Sequence, residues 1–130
     1  MIKKQIIVNQ FLHETETWKR TLGFIEEENV ILKNRLSEML KYIDTDDTIL
    51  IEKLEVFQDL FVSEDESIHQ LKKQINEEDK LLLRDTYEDG DLFRRLLKKQ
   101  KKLRKQFEAI DKRFNRIRND FNQYLSEVYA

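Results

Sequence analysis

Apolar residues in this chain recur at alternating steps of three and four, in three separate stretches, each lasting more than four heptads. The first runs Phe11, Thr15, Trp18, Leu22, Ile25, Asn29, Leu32, Leu36, Met39, Ile43. The second runs Leu50, Leu54, Phe57, Phe61, Glu64, Ile68, Leu71, Ile75, Glu78, Leu82. The third runs Phe93, Leu96, Gln100, Leu103, Phe107, Ile110, Phe114, Ile117, Phe121, Tyr124, Val128. Such spacing lays one stripe along a slightly underwound α-helix, and no strand can present it, because strand faces alternate with a period of two. The chain has no proline and two glycines, so little interrupts the helices.

Two clusters of turn formers divide the stretches. Asp44-Thr45-Asp46-Asp47 offers turn and cap residues, and Asp89-Gly90-Asp91 offers a glycine for a helix C′ position followed by an N-cap aspartate. The spacing predicts helices over roughly 8–44, 48–89 and 91–129, forming one domain over 1–130. Short connections make neighbouring helices antiparallel. The expected fold is therefore all-α, an up-down-up three-helix bundle with long coiled-coil-like helices. Folding at the two turns aligns the stripes into layers. Polar residues then meet polar residues, in a Thr15/Glu78/Gln100 layer near one end and an Asn29/Glu64 pair beside Phe114 at mid-bundle. The pattern, with Trp18 near the start of the first helix, resembles spectrin-type three-helix coiled coils. The main alternative is a break at Ser63-Glu64-Asp65-Glu66-Ser67, which reads as a capped helix start. The unbroken phase from Glu64 to Ile68 favours continuity.

With no cysteine, disulfides, thiolate metal sites and cysteine nucleophiles are excluded. The N-terminal Ile6-Ile7-Val8 run is cut short by Asn9 and Gln10 and precedes no cleavage-like site, and no stretch has the length of a membrane span. A cytoplasmic location is expected. Carboxylate-bridged di-iron bundles need two Glu-x-x-His motifs, whereas Glu66-Ser67-Ile68-His69 supplies one and His13 none. Neither a metal nor any other cofactor is expected. No catalytic residues emerge either, since there is no phosphate-binding glycine loop and no nucleophile in a strand–turn–helix setting.

Three features point to binding. Asn29 and Glu64 form the polar core layer, whose simplest role is to fix helix register and whose alternative role is to hold a ligand. Ile51 and Leu60 fall off the second stripe and mark a possible protein interface, with a widened core as the alternative for such off-stripe apolar residues. The third helix opens with Arg94, Arg95, Lys98, Lys99, Lys101, Lys102, Arg104 and Lys105, a run suited to an anionic partner. Residues 1–90 carry a net charge of −9 and residues 91–118 a net of +9, so that run can also serve the bundle's own acidic helices. Its aromatic neighbours Phe93 and Phe107 are core positions, leaving nothing to stack on bases. The expected function is non-enzymatic: a helical bundle that docks a protein partner or associates with itself. Nucleic-acid binding through the basic start of the third helix is the alternative. No small-molecule substrate is evident.

Overall fold

In the structure, a computed structural model, residues 2–84 and 90–129 are described. They form α1 (Ile2–Tyr42), α2 (Thr48–Leu82) and α3 (Gly90–Val128), packed against one another as an all-α three-helix bundle. No helix among the described residues is long and apolar enough to cross a membrane.

The first turn forms as its residues dictate. The Asp47 side chain accepts from the Leu50 amide at 3.2 Å and caps α2, while the Asp44 side chain accepts from the Asp46 amide at 3.1 Å. Three boundaries differ from expectation. α1 begins at Ile2, not near residue 8, because Val8 is buried one step before Phe11 and extends the stripe. α2 ends at Leu82, where the Leu83 amide bonds back to the Asp79 carbonyl at 3.0 Å. The expected last turn of the second helix, with Asp89, lies outside the described residues. Gly90 opens α3 and is not the glycine at a helix C′ position. α2 runs without a break through residues 63–67.

The stripes become the core. Trp18, Leu22, Phe61, Ile75, Leu103 and Phe121 are among its buried members, and burying each such side chain is worth about 1.5–3 kcal/mol. Trp18, Ile75 and Leu103 belong to one cluster, as their shared layer predicts, and Trp18 stacks on Phe107 of the next layer at 5.8 Å. At the other end Phe57 and Phe61 meet the Phe121 ring edge-on at 5.2 Å. The stripe on α3 shifts in its last turn, where Leu125 is buried and Tyr124 only partly so. An α-helix drifts about 20° per heptad against a strict seven-residue repeat, so over four to five heptads the inward position moves by about one residue.

Among the described residues, five polar ones are buried as well: Thr15, Asn29, Glu64, Glu78 and Gln100. The Thr15/Glu78/Gln100 layer divides the apolar core in two. On one side lies the main cluster from Trp18 onward, and on the other a smaller one of Val8, Leu82, Phe93 and Leu96.

Candidate functional site

Each helix carries two rows flanking its stripe, and these rows meet along three seams. On α2 the residues one place after the stripe face α1: Lys33 pairs with Asp65, Glu26 with Lys72 at 2.5 Å, and Lys19 with Asp79. Between α1 and α3, Arg104 grips both oxygens of Glu14 at 2.7 and 2.8 Å, and Arg118 reaches Glu28 at 3.1 Å. The Arg104 guanidinium holds the Glu14 carboxyl below its ordinary range. Ion pairs thus latch α1 to both neighbours.

The third seam is different. The residues one place before the stripe on α2 face those one place before the stripe on α3. Midway along, Arg113 donates from Nε to Glu64 Oε2 at 2.7 Å. Grooves lie along the rest. One of about 630 Å³ lies between the end of α2 and the start of α3, floored by Glu78 and Leu96 and edged by Arg95, Lys98, Lys99 and Lys102. A central groove of about 210 Å³ is lined by Ser67, Gln70, Gln106 and Ala109. A third, of about 350 Å³, is lined by Val56, Leu60, Asp120, Gln123, Tyr124 and Glu127. Beside the Arg113–Glu64 pair, the side chains at the middle are uncharged, where α1's seams carry further ion pairs.

Buried acceptors look into this face. The Oε1 atoms of Gln74, Glu78 and Gln106 are buried without a hydrogen-bond partner, and all three residues line the grooves. Glu78 is 2% exposed. Its burial, countered in part by Lys99 and reinforced by Asp79, pushes its carboxyl up to about 7.

The expected site residues are distributed as follows. Asn29 and Glu64 are both buried at mid-bundle, but their hydrogen bonds run to other groups. Asn29 Nδ2 donates to the Phe61 carbonyl at 3.0 Å and to Asp65 Oδ1 at 2.5 Å, while Glu64 takes Arg113. Both of the side chain's amide hydrogens are thereby used on α2, and Asn29 Oδ1 cannot bond a carboxylate oxygen. Leu60 and Ile51 sit on opposite flanks of α2. Leu60, 39% exposed, lines the groove toward α3, while Ile51 is half-buried in the row that faces α1. The basic run also splits. Arg94 pairs with Asp91 and Arg104 with Glu14; Arg95, Lys98, Lys99 and Lys102 edge the first groove; Lys101 and Lys105 are exposed. His13 and His69 are exposed on different helices.

Sequence reasoning singled out Leu60 and the basic edge but not Gln74, Gln106, Ser67, Ala109, Asp120 or Glu127. The signal was present. The residues that flank the stripes on α2 and α3 are small or amide at the centre, at Ser67, Gln70, Gln74, Gln106 and Ala109, and acidic at one end, at Asp120 and Glu127. No family model, no curated protein and no solved structure matches this chain.

Proposed function

We propose that the protein is a non-enzymatic helical-bundle module that docks another polypeptide on its α2–α3 face. The observation carrying this reading is the contrast between seams: α1 is latched to both neighbours by ion pairs, while the α2–α3 seam is grooved along its length. Val56 and Leu60, 53% and 39% exposed, supply apolar contacts that a docked chain would bury.

The nucleic-acid reading has less support. Arg94 and Arg104 are already paired within the bundle, and no aromatic ring among the described residues lines the groove that the lysines edge.

A photo-reactive residue placed at Leu60, Gln74 or Gln106 tests the proposal, with Thr17 and Glu27 on the outer face of α1 as controls. Polypeptide adducts are expected from the first three positions and not from the controls. Equal labelling at all five, or steeply salt-sensitive retardation with DNA or RNA, would argue for the other readings.

A further inference from the structure

We propose that the α2–α3 face binds a second copy of this chain about a two-fold axis, perpendicular to the helices and lying in the face at the level of Ser67 and Asp111, so that Arg95 meets Glu127 of the second copy and Lys102 meets its Asp120. The inference rests on the docking reading above and names the occupant.

Charge along the face carries the argument. The end where α3 begins is basic, edged by Arg95, Lys98, Lys99 and Lys102. The end where α3 finishes is acidic, with Asp120 and Glu127. The middle is lined by Ser67, Gln70, Gln106 and Ala109, and its one charged lining residue, Arg113, is paired with Glu64 of the same copy. A basic–neutral–acidic strip is complementary to itself reversed, and reversal is what a perpendicular two-fold axis does.

The match extends to single residues. Arg95 and Glu127 lie equally far in sequence on either side of Asp111, as do Lys102 and Asp120, and as do Lys99 and Gln123. On α2, Gln74 and Leu60 lie equally far on either side of Ser67. The charges that run against the trend obey the same rule. Glu77 stands at the basic end and Lys53 at the acidic end, so reversal brings acid and base within about one helical turn of each other.

In this arrangement α2 packs antiparallel on its copy, and so does α3. A parallel pairing would set Lys102 on Lys102 and Asp120 on Asp120. The area suffices too: two helices about 50 Å long and about 10 Å wide each cover about 1,000 Å² per copy, within the range of stable interfaces.

Sedimentation equilibrium on the full chain tests this directly. A dimer is expected. Lys102→Glu alone and Asp120→Lys alone should each weaken it about 10-fold or more, because each places like charges together at two symmetric contacts. An equimolar mixture of the two variants should recover the dimer, since in the heterodimer both contacts are again acid on base. The double variant should recover it as well. Helical circular dichroism and melting of each variant establish that it folds.

Ser67→Cys, in a chain with no native cysteine, should give a crosslinked dimer with a short bismaleimide, and Thr17→Cys should not. A chain that stays monomeric at every concentration overturns the two-fold assignment. So does a dimer indifferent to both charge reversals. If the monomeric chain still yields adducts with a different polypeptide from Leu60 and Gln74, the docking reading stands while this inference fails. If neither dimer nor adduct forms, both fail.

Discussion

Glu64 and Glu78 are buried in this bundle to nearly the same degree, and they are treated in opposite ways. Glu64, at mid-bundle, is 1% exposed and receives the Arg113 guanidinium at 2.7 Å. Glu78, near the end, is 2% exposed, and its Oε1 receives no donor. The layers around them differ in the same sense. Asn29, beside Glu64, commits both amide hydrogens to α2. Thr15 and Gln100, level with Glu78, bond away from it: the Thr15 hydroxyl lies 2.6 Å from Asp79 Oδ1, and Gln100 Nε2 donates to Glu14 at 2.9 Å. Burial alone therefore does not decide whether a core carboxylate has a donor. The decisive factor is whether an arginine stands one place before the stripe on the facing helix. At the Glu64 level that place is Arg113; at the Glu78 level it is Lys99, which acts through its charge and leaves the carboxyl near 7.

The largest expected effect belongs to the packing between the two layers. Trp18 is 4% exposed and stacked on Phe107 immediately beside the Thr15 layer. Trp18→Ala should cost about 3–5 kcal/mol in chemical denaturation. A loss below about 1 kcal/mol would mean that the layers, and not the apolar packing between them, hold the bundle together.

Next comes the charge partner. Arg113→Met leaves Glu64 buried without its donor. The guanidinium is about half exposed, so solvent screens part of the pair, and a loss of about 2–3 kcal/mol is expected. Adding Glu64→Gln should return most of it. If the double variant is as unstable as Arg113→Met, the stem of Arg113 rather than its charge is what matters.

These effects were unequally visible in the amino-acid sequence. The three stripes, the continuity of α2 through Glu64 and the burial of Trp18 all follow from the three-four repeat, because a long periodic pattern averages over local noise. So did the layers, since antiparallel pairing at two short turns fixes which positions are level. The Glu64–Arg113 pair fits the same register, because Arg113 stands one place before the stripe at that layer. The Asn29–Glu64 bond was not realised, because two side chains at one level still choose among acceptors on all sides, including the Phe61 carbonyl. Helix ends were less legible still. Val8 follows a polar-flanked apolar run that reads as a frayed start, yet Leu82, Phe93 and Leu96 offer it a cluster to join. The grooved seam is not legible in any one helix, because a groove belongs to two.

The third effect is a pH dependence at Glu78. Its folded-state pKa is raised from 4.5 to about 7, so the folded state holds a proton that the unfolded chain releases. Below about 4.5 both states are protonated and the group is neutral to stability. Between about 4.5 and 7 its contribution turns progressively unfavourable, and above 7 the penalty is complete. Glu78→Gln should therefore match the parent near pH 4.5 and exceed it by about 1–3 kcal/mol at pH 8. Melts at half-unit steps would show the difference opening across that window. A difference independent of pH would place the ionised carboxylate in contact with water or a donor.

The smallest effect distinguishes Lys99 as the charge that keeps Glu78 from rising further. Desolvation drives the shift and Asp79 adds to it, while Lys99 opposes both. Lys19 pairs with Asp79 from the α1 side and so weakens the push from that carboxylate. Lys98 and Lys102 edge the same groove, with Glu77 beside them. Lys99→Gln removes the opposing charge and leaves the core intact. The parent and Glu78→Gln should then diverge over a window that ends above pH 7, with a change at neutral pH of a few tenths of a kcal/mol, as expected for a half-exposed charge. Carbon-detected titration of the Glu78 side chain reads the same shift without reference to stability. Lys99→Arg supplies the sharper contrast. A guanidinium at that place reproduces what Arg113 offers Glu64, and where it reaches the carboxyl the titration should fall back toward the ordinary range for glutamate. An unchanged midpoint in Lys99→Arg would show that the two layers differ in backbone geometry, and not merely in which cation faces the carboxylate.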